Sequence, residues 1–309
     1  MRRRPGYVAL HERGELATRA ALLREMLADC RLCGHRCGAD RREGPGRAFC
    51  RTGPVARVAS HGPHHGEEPP ISGFFGSGTI FFSRCNLACA YCQNWTISQA
   101  DEGTDVTPHE LAGMMLALQA RGCHNVNLVS PTHVAPMIVD ALVIAAERGL
   151  EIPLVWNSGG YDSVELLRLL DGIVDIYLPD VKYAEERAAL AFSAAPRYPR
   201  VALAAVAEMH QQVGPLEVDP HGIAVRGVLV RHLVLPGGLA GTGDLARRLA
   251  GEIGPGVVVH VMDQYRPAWR AARRPPLDRR PSAAELAAAR EAAARHVRLL
   301  EDTAPPPGS

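Results

Sequence analysis

The amino-acid sequence predicts an α/β fold, a TIM-like partial (β/α)6 barrel. Six short apolar, β-branched runs recur along the chain, at residues 78–83, 125–130, 152–158, 172–180, 227–236 and 256–265. Segments with the apolar spacing of helices separate these runs. Alternating strands and helices indicate parallel strands joined by right-handed crossovers. Six such units suit an open barrel better than a closed one of eight units, and the ligand crevice of an open sheet lies at the carboxyl ends of its strands.

The segments between the predicted strands carry start and stop signals of helices. Residues 107–122 begin with Thr107 and have Glu110 three positions later, which is the pattern of a capping box. Residues 134–149 and 198–214 have amphipathic spacing and end at glycine. The capping signals therefore support the alternation that the apolar pattern indicates.

The change of pattern along the chain divides it into three parts. Residues 1–76 contain a predicted helix, over residues 13–29, and a cysteine-rich metal-binding segment without a sustained period, which we expect to be loop-rich. Residues 77–265 form the predicted barrel. Residues 266–309 are expected to be an arginine-rich solvated loop, a C-terminal helix and a disordered tail.

Composition restricts the classes of protein to which the chain can belong. It has 309 residues, of which 47% are hydrophobic and 22% charged, enough to bury one sizeable core or two unequal ones. The formal net charge of +1 gives no reason to expect a nucleic-acid partner. No apolar run of signal-peptide length follows the basic first residues, and no window approaches a membrane-spanning length. We therefore expect a cytoplasmic protein with no membrane association.

Eight cysteines without a secretion signal indicate metal or redox chemistry more than disulfides. Seven of them lie in the first 92 residues, in two groups, and Cys123 stands alone as an expected core thiol. Such clustering is what metal ligands require, because ligands must converge within a few ångströms. The groups are Cys30, Cys33, Cys37 and Cys50, and Cys85, Cys89 and Cys92.

The second group follows directly on the first predicted strand, which places it at the expected crevice. Three thiols at this spacing could be small core residues on one face of a helix, or three ligands of a zinc ion with a histidine from elsewhere. A structural zinc site needs four protein ligands, and a ferredoxin-type cluster needs four cysteines. Three ligands leave one coordination position open, which is a property of sites that perform chemistry.

The stretch RCNLACAYCQNW, residues 84–95, resembles the CxxxCx(aromatic)C signature of the radical S-adenosylmethionine (SAM) superfamily. The resemblance extends to residues 66–98, NVNLVSPTHVAP, WNSGGYDS, IVDIYLPDVKY and RHLVLPGGL. Together these stretches are similar to the PflX-like branch of proteins related to pyruvate formate-lyase activating enzymes. The resemblance covers the chain from about residue 30 to 300.

The resemblance implies a [4Fe–4S] cluster on Cys85, Cys89 and Cys92, with SAM chelating the fourth iron. Where the family has a glycine-rich turn whose backbone binds the methionine amino group, this chain reads SPTH, residues 130–133. The D-x-K pair of activating enzymes contacts the methionine part of SAM, and a carboxylate of SAM would suit a buried arginine in the fifth strand. The implied cofactor-binding residues are Tyr91 near the adenine, Asn94, Ser130, Thr132, Asn157, Asp180, Lys182 and Arg231.

The resemblance also implies a reaction, that of an oxidoreductase that cleaves SAM reductively to a 5′-deoxyadenosyl radical. That radical abstracts hydrogen from a substrate, which for this chain is a glycyl-radical enzyme, another protein or a small molecule. A flavodoxin or a ferredoxin is the expected electron donor. The alternative hypothesis is a zinc-stapled binding module in which both cysteine groups are structural.

The first cysteine group has the spacing C-x2-C-x3-C-x12-C, a strong metal signal that fits structural zinc or an auxiliary Fe–S cluster, with reduced free thiols as the remaining alternative. His35 lies between these thiols, but four cysteines already complete a ligand set. Among the other residues, the histidines at 133, 232 and 260 are expected to be satisfied core residues. The loop HGPHHGEEPP, residues 61–70, could bind a metal, contact substrate or be a plain surface loop.

Overall fold

A computed structural model describes residues 4–303 of the protein. The tail that we expect to be disordered lies, from residue 304 on, outside the described residues. The strands are β1 (Ala56–His64), β2 (Ser77–Phe82), β3 (Thr104–Val106), β4 (Val126–Val129), β5 (Leu154–Asn157), β6 (Ile176–Tyr177), β7 (Glu217–Val218), β8 (Ala224–Leu233), β9 (Val258–Met262) and β10 (Arg298–Leu299).

Within the described residues these strands form one ten-stranded sheet. Its order is β10-β9-β8-β6-β5-β4-β2-β1-β3, and β7 pairs with β8. The strands from β2 to β10 along this path pair in parallel, whereas β1 pairs antiparallel to both β2 and β3. The two ends of the order do not pair, so the sheet curves without closing. This confirms the predicted α/β fold with an open, partial barrel.

Helices connect the parallel strands, as the alternation predicts. The capping box at Thr107 and Glu110 is present, with both reciprocal hydrogen bonds formed. The α-helices are α1 (Gly6–Glu12), α2 (Glu15–Glu25), α3 (Pro69–Ser72), α4 (Trp95–Ser98), α5 (Pro108–Ala120), α6 (Ala135–Glu147), α7 (Val164–Leu170), α8 (Glu186–Ser193), α9 (Tyr198–Val213), α10 (Thr242–Ile253) and α11 (Ala283–Ala294). The 3-10 turns are Thr132–Val134, Pro236–Gly238, Ala271–Arg273 and Leu300–Thr303.

The N-terminal part meets one expectation within narrower bounds and contradicts another. The helix predicted over residues 13–29 is the second of a pair, because Gly14 adopts a φ of 74° and separates α2 from α1. The segment 30–76 is not loop-rich throughout, since residues 56–64 form β1. Histidine, glycine and proline in β1 hide the strand from a propensity argument, but pairing with β2 and β3 on its two sides supplies the missing hydrogen bonds.

The sheet has a helix-covered outer face and a filled lumen. Val126 and Leu128 of β4 join the large core that includes the helices. The intervening alternate positions of the sheet point into the lumen, where Val155 and Leu229 pack with Ile71 of α3. The backbone carbonyl of Ile71 accepts a hydrogen bond from the side-chain amide of Asn125 at 2.9 Å. Helix α3 therefore closes the amino-terminal end of the barrel and leaves the carboxyl ends of the strands for a site.

Candidate functional site

The three-cysteine loop leaves the carboxyl end of β2, as the sequence predicts. Arg84 has a φ of 67° at the turn out of the strand, and its guanidinium pairs with Asp101. The C-terminal end of α8 holds the loop from the other side. There the backbone N–H of Ala88 donates to the carbonyl of Ser193 at 3.0 Å, and that of Ala90 to Phe192 at 2.7 Å. The loop is thus fixed at two points around its thiols.

The three thiols have polar contacts of their own. The hydroxyl of Ser193 donates to the sulfur of Cys89 at 3.0 Å. The sulfur of Cys92 lies 3.2 Å from the hydroxyl of Ser98, and the sulfur of Cys85 accepts from the backbone N–H of Leu87 at 3.4 Å. Hydrogen bonds of this kind stabilise a thiolate.

Burial and mutual proximity both affect the pKa values of these thiols. Burial, together with the proximity of Cys89 and Cys92, raises the pKa of Cys85 to about 12. Burial also raises the pKa of Cys89 to about 11, against the opposing effect of the ammonium of Lys182. Cys85 and Cys89 are therefore protonated at neutral pH, and a bound metal would displace their protons.

Within residues 4–303, no group of three or more His, Cys, Asp or Glu side chains is already arranged as a set of metal ligands. The thiols of the loop share one buried neighbourhood without converging on a point. Rotation about the Cα–Cβ bond moves a sulfur between staggered positions while the backbone stays in place. The donor set therefore fits a thiolate-bound metal in chemistry and location, and binding requires rotation of side chains.

Tyr91, the aromatic residue of the motif, is buried in a cluster of tyrosines. Its ring packs edge-on against Tyr183 and Tyr265, with centroids 6.4 and 5.8 Å away. Burial raises its pKa well above the usual value, so its hydroxyl is protonated at neutral pH. This cluster forms an apolar wall beside the thiol loop.

Asp180 and Lys182 form a close ion pair just beyond the end of β6. The ammonium of Lys182 donates to the carboxylate of Asp180 at 2.6 Å. Burial works to raise the pKa of Asp180, but Arg231 and Lys182 outweigh burial and lower it. Burial likewise opposes the charge of Lys182, and Asp180 outweighs it and raises that pKa. Both side chains are therefore charged, at a point close enough to Cys89 to influence its thiol.

Arg231 forms hydrogen bonds with all its side-chain nitrogens near the carboxyl ends of the parallel strands. It donates to Asp180 at 2.8 Å, to the side-chain carbonyl oxygen of Asn157 at 2.6 Å and to Glu67 at 3.0 Å. Its side chain is 14% exposed. The structure therefore gives Arg231 carboxylate partners from the protein itself, and brings Asn157, Asp180 and Lys182 together around it.

Of the stretch 61–70, which the sequence predicts as a loop, residues 61–64 belong to β1 and residues 69–70 to α3. The turn between them supplies two acidic groups to the lumen. Glu67 pairs with Arg231, and Glu68 pairs with His260 of β9 at 2.9 Å. Burial raises the pKa of Glu67 in spite of Arg231. Burial also works to raise the pKa of Glu68, but hydrogen bonding from His260 and the charge of Arg231 outweigh it and lower that pKa. One oxygen of Glu68 has no hydrogen-bond partner. The sequence does not decide the role of these two acids, because only the tertiary fold turns them inward.

The SPTH turn follows β4 and lies at the same carboxyl-terminal side of the sheet as Arg231. Ser130 has a φ of 58°, a conformation that favours glycine, and its N–H donates to the backbone of Asn157 at 2.9 Å. Thr132 is buried, and its hydroxyl donates to Asp162 at 2.8 Å. The turn thus keeps the left-handed backbone that a glycine-rich turn would supply. The hydroxyl of Thr132 is already engaged.

Asn94 does not join this set. It is exposed at the N-terminal cap of the short helix α4, and its backbone carbonyl accepts from Ser98 at 3.0 Å. The histidines have different environments. His232 is a satisfied core residue, as predicted, with its ring nitrogens 2.7 Å from Val181 and 2.9 Å from Thr242. His133 contacts Ser83 through one nitrogen and has no partner at Nδ1.

The four-cysteine group lies against the three-cysteine loop. Cys33 forms an isolated β-bridge with Asp162. His35, between the thiols, contacts the backbone carbonyl of Asn86 at 3.0 Å, next to Cys85. Cys50 lies near enough to Arg84 to affect the pKa of that guanidinium. The two groups are therefore adjacent in space, although Cys30 and Cys85 are 55 positions apart in the sequence.

Comparison with known proteins agrees with this architecture. The model of the family described as "Radical SAM superfamily" matches residues 79–216. An uncharacterized protein of Methanocaldococcus jannaschii, MJ0674, is 30% identical over 290 residues, which cover 91% of this chain and 79% of the relative. Another from the same organism, MJ0808, is 31% identical over 123 residues, or 38% of this chain and 35% of that protein.

The chain belongs to the radical SAM superfamily, whose members use a [4Fe–4S] cluster and SAM. It is therefore a radical SAM enzyme in general class, and a binding module with purely structural cysteines is not favoured. In the part of the chain that the structure describes, no helix has the length and apolar character needed to cross a membrane.

Proposed function

We propose that Cys85, Cys89 and Cys92 hold the [4Fe–4S] cluster of a SAM-cleaving enzyme and that SAM binds in the crevice beside them. The observation that supports this proposal most is the grouping of three thiols on one loop at the carboxyl end of β2. The loop leaves one coordination position without a cysteine. When bound, the cluster would supply one electron for the reductive cleavage of SAM to methionine and a 5′-deoxyadenosyl radical, the species that would abstract hydrogen from the substrate.

The charged residues at the strand ends would orient SAM. Asp180 and Lys182 are both ionised, and together they match the ammonium and carboxylate of the methionine part. The Ser130 turn and Asn157, which hydrogen-bond through their backbones, would flank that amino acid. The wall around Tyr91 would take the adenine.

Arg231 has a different part in this proposal. Its donors are engaged by Asp180, Asn157 and Glu67, so it orients Asp180 and keeps that carboxylate ionised. A positioning role needs no direct contact between Arg231 and SAM. The closed amino-terminal end and the apolar wall of tyrosines exclude water from the crevice, which protects a reactive intermediate.

We infer further that the protein acts as a member of the PflX-like branch related to pyruvate formate-lyase activating enzymes. The support is the set of stretches along the chain that resemble that branch. The substrate would then be a glycyl-radical enzyme or another protein, and the reductant a flavodoxin or ferredoxin. With these partners, we propose that the enzyme acts in the cytoplasm. Formation of a glycyl radical, detected by electron paramagnetic resonance after incubation with a candidate protein, SAM and dithionite, tests this assignment.

The test of SAM cleavage compares matched cysteine variants under anaerobic conditions. After reconstitution with iron and sulfide, we expect the wild-type chain to convert SAM to 5′-deoxyadenosine when dithionite is added, as measured by liquid chromatography. Cys89→Ala should lose this activity, because two thiols cannot hold the cluster. Cys123→Ser is the control, since that thiol lies in the core. Equal product from Cys89→Ala and wild type would refute the proposed cluster site.

A further inference from the structure

The guanidinium of Arg41, within the four-cysteine segment, is an unusual buried charge. Arg41 is fully buried, with 0% of its surface exposed. Its acceptors in the described part of the chain are backbone carbonyls and one sulfur: Thr52 at 2.6 Å, Gly53 at 3.3 Å, His133 at 2.6 Å and Cys30 Sγ at 3.4 Å. A guanidinium does not deprotonate in proteins. Burying it without an anion is costly.

The segment around Arg41 also lacks a core of its own. Residues 30–53 form neither an α-helix nor a β-strand. Cys30 and Leu32 anchor it to the main core, and its separate apolar cluster consists of Ala39, Ala48 and Cys50, with Cys37 packed against it. So small a separate cluster contributes little to the order of residues 37–53, and natural segments of this kind are commonly held by disulfides or metals.

The four thiols of this segment share one neighbourhood. Burial raises the pKa of Cys33, and Cys50, Cys30 and Cys37 all add to that rise. Backbone hydrogen bonds close the loop on which they stand, from Cys30 to Ala39 at 3.1 Å and from Gly38 to Cys30 at 3.0 Å. The thiols do not converge as they stand, so a metal would draw them in by rotation of their side chains.

We propose that Cys30, Cys33, Cys37 and Cys50 bind a second metal centre, a tetrathiolate dianion half of whose charge Arg41 balances through its contact with the Cys30 sulfur. Four thiolates form a dianion around Zn²⁺ and also around a [4Fe–4S]²⁺ core. Either centre therefore supplies the anion that Arg41 lacks. The proposal is independent of the SAM site.

Arg41 is a positioning residue for this centre and links it to the crevice. The same guanidinium donates to the carbonyl of His133 in the SPTH turn, and the ring of His133 donates to the carbonyl of Ser83 at 2.9 Å. Ser83 precedes the turn into the three-cysteine loop. Ordering of the second centre therefore orders both segments that flank the proposed SAM site.

The test isolates the second centre in a chain that lacks the first. We expect a Cys85→Ala, Cys89→Ala, Cys92→Ala variant, purified anaerobically, to retain one metal centre. Elemental analysis and absorption spectra distinguish a colourless zinc site from a brown cluster of four irons, and either supports the proposal. Binding is remeasured with Zn²⁺ alone and with Fe²⁺ plus sulfide. A folded chain with four alkylatable N-terminal thiols and no metal would overturn it.

The role of Arg41 needs matched variants in the same background. Arg41→Met should weaken metal binding by about 10–100-fold in chelator competition, as expected for a residue that supports a ligand, and Arg41→Lys should weaken it less. Arg42→Met is the control, because the side chain of Arg42 is 63% exposed and pairs with Asp40. Equal metal affinity in Arg41→Met and Arg42→Met would exclude charge balance by Arg41. In wild type, alkylation of the four thiols by iodoacetamide should become faster after chelation, and an equal rate before and after chelation would contradict the centre.

Discussion

Arg231 and Arg41, two arginines with little or no exposed surface, have opposite surroundings. Arg231 lies among carboxylates, with Asp180 and Glu67 within 3.0 Å of its nitrogens. Arg41 lies among backbone carbonyls and the Cys30 sulfur. The crevice therefore has its charge balanced before any cofactor binds, whereas the N-terminal segment gains an anion for Arg41 only when a metal converts its own thiols to thiolates. A buried charge thus indicates a ligand only where its neighbours leave it uncompensated.

The largest effect on stability should come from Arg231, whose charge is balanced by carboxylates of the protein itself. Arg231→Met leaves the buried carboxylate of Glu67 without its cation and Asp180 with Lys182 alone, so we expect the free energy of unfolding to fall by about 3–5 kcal/mol. The loss should be the same with and without metal, as measured by urea denaturation. Arg247→Met is the surface control, with a change below about 1 kcal/mol, since that side chain is 61% exposed. A loss of stability in Arg231→Met that appears only in the metal-bound protein would contradict the view that the charge of Arg231 is balanced without a metal.

A smaller and metal-dependent effect is expected for Arg41→Met. A 10–100-fold weaker metal affinity corresponds to about 1.4–2.7 kcal/mol of lost stabilisation by the bound metal. In the chain that lacks the three-cysteine loop thiols, adding Arg41→Met should lower the free energy of unfolding more with metal bound than after chelation. Equal losses in both states would show that Arg41 acts through packing alone.

His133, which lies between the two regions, should make the free energy of unfolding depend on pH. Burial lowers the pKa of His133 to about 3, below the value of about 6.5 in an unfolded chain. The stability that depends on its neutral form is present above pH 6.5 and is lost as the pH falls, by about 1.4 kcal/mol per pH unit. His133→Gln should therefore show a shallower fall in the free energy of unfolding between about pH 6.5 and 5.5. Parallel pH profiles for wild type and variant would contradict this.

The smallest effect on stability is expected at the N-terminal cap of helix α5, which contacts neither Arg231 nor Arg41. Thr107→Ala removes the side-chain acceptor of the Glu110 N–H, so we expect a loss of about 1 kcal/mol in the free energy of unfolding. Thermal or urea denaturation measures it. The amount of bound metal and the yield of 5′-deoxyadenosine should not change, and a parallel loss of either would mean that helix α5 supports a site.

Sequence reasoning located most of the strands that position the site. The six predicted runs overlap with β2, β4, β5, β6, β8 and β9, because continuous apolar runs between helical segments are typical of buried parallel strands. It missed β1, the short strands β3, β7 and β10, and the inward turn of Glu67 and Glu68. Those residues carry no periodic signal, and their pairing partners lie on other strands.

The sequence by itself determined the chemistry that the chain carries: the spacings of its two cysteine groups and the alternation of strand and helix. These are local properties, set by which residues stand within a few positions of one another. Only the tertiary structure decided that the two cysteine groups lie side by side, that Arg231 has carboxylate partners and that Arg41 does not. Charge balance depends on groups far apart in the chain, such as Arg41 and His133, and folding alone brings them into contact.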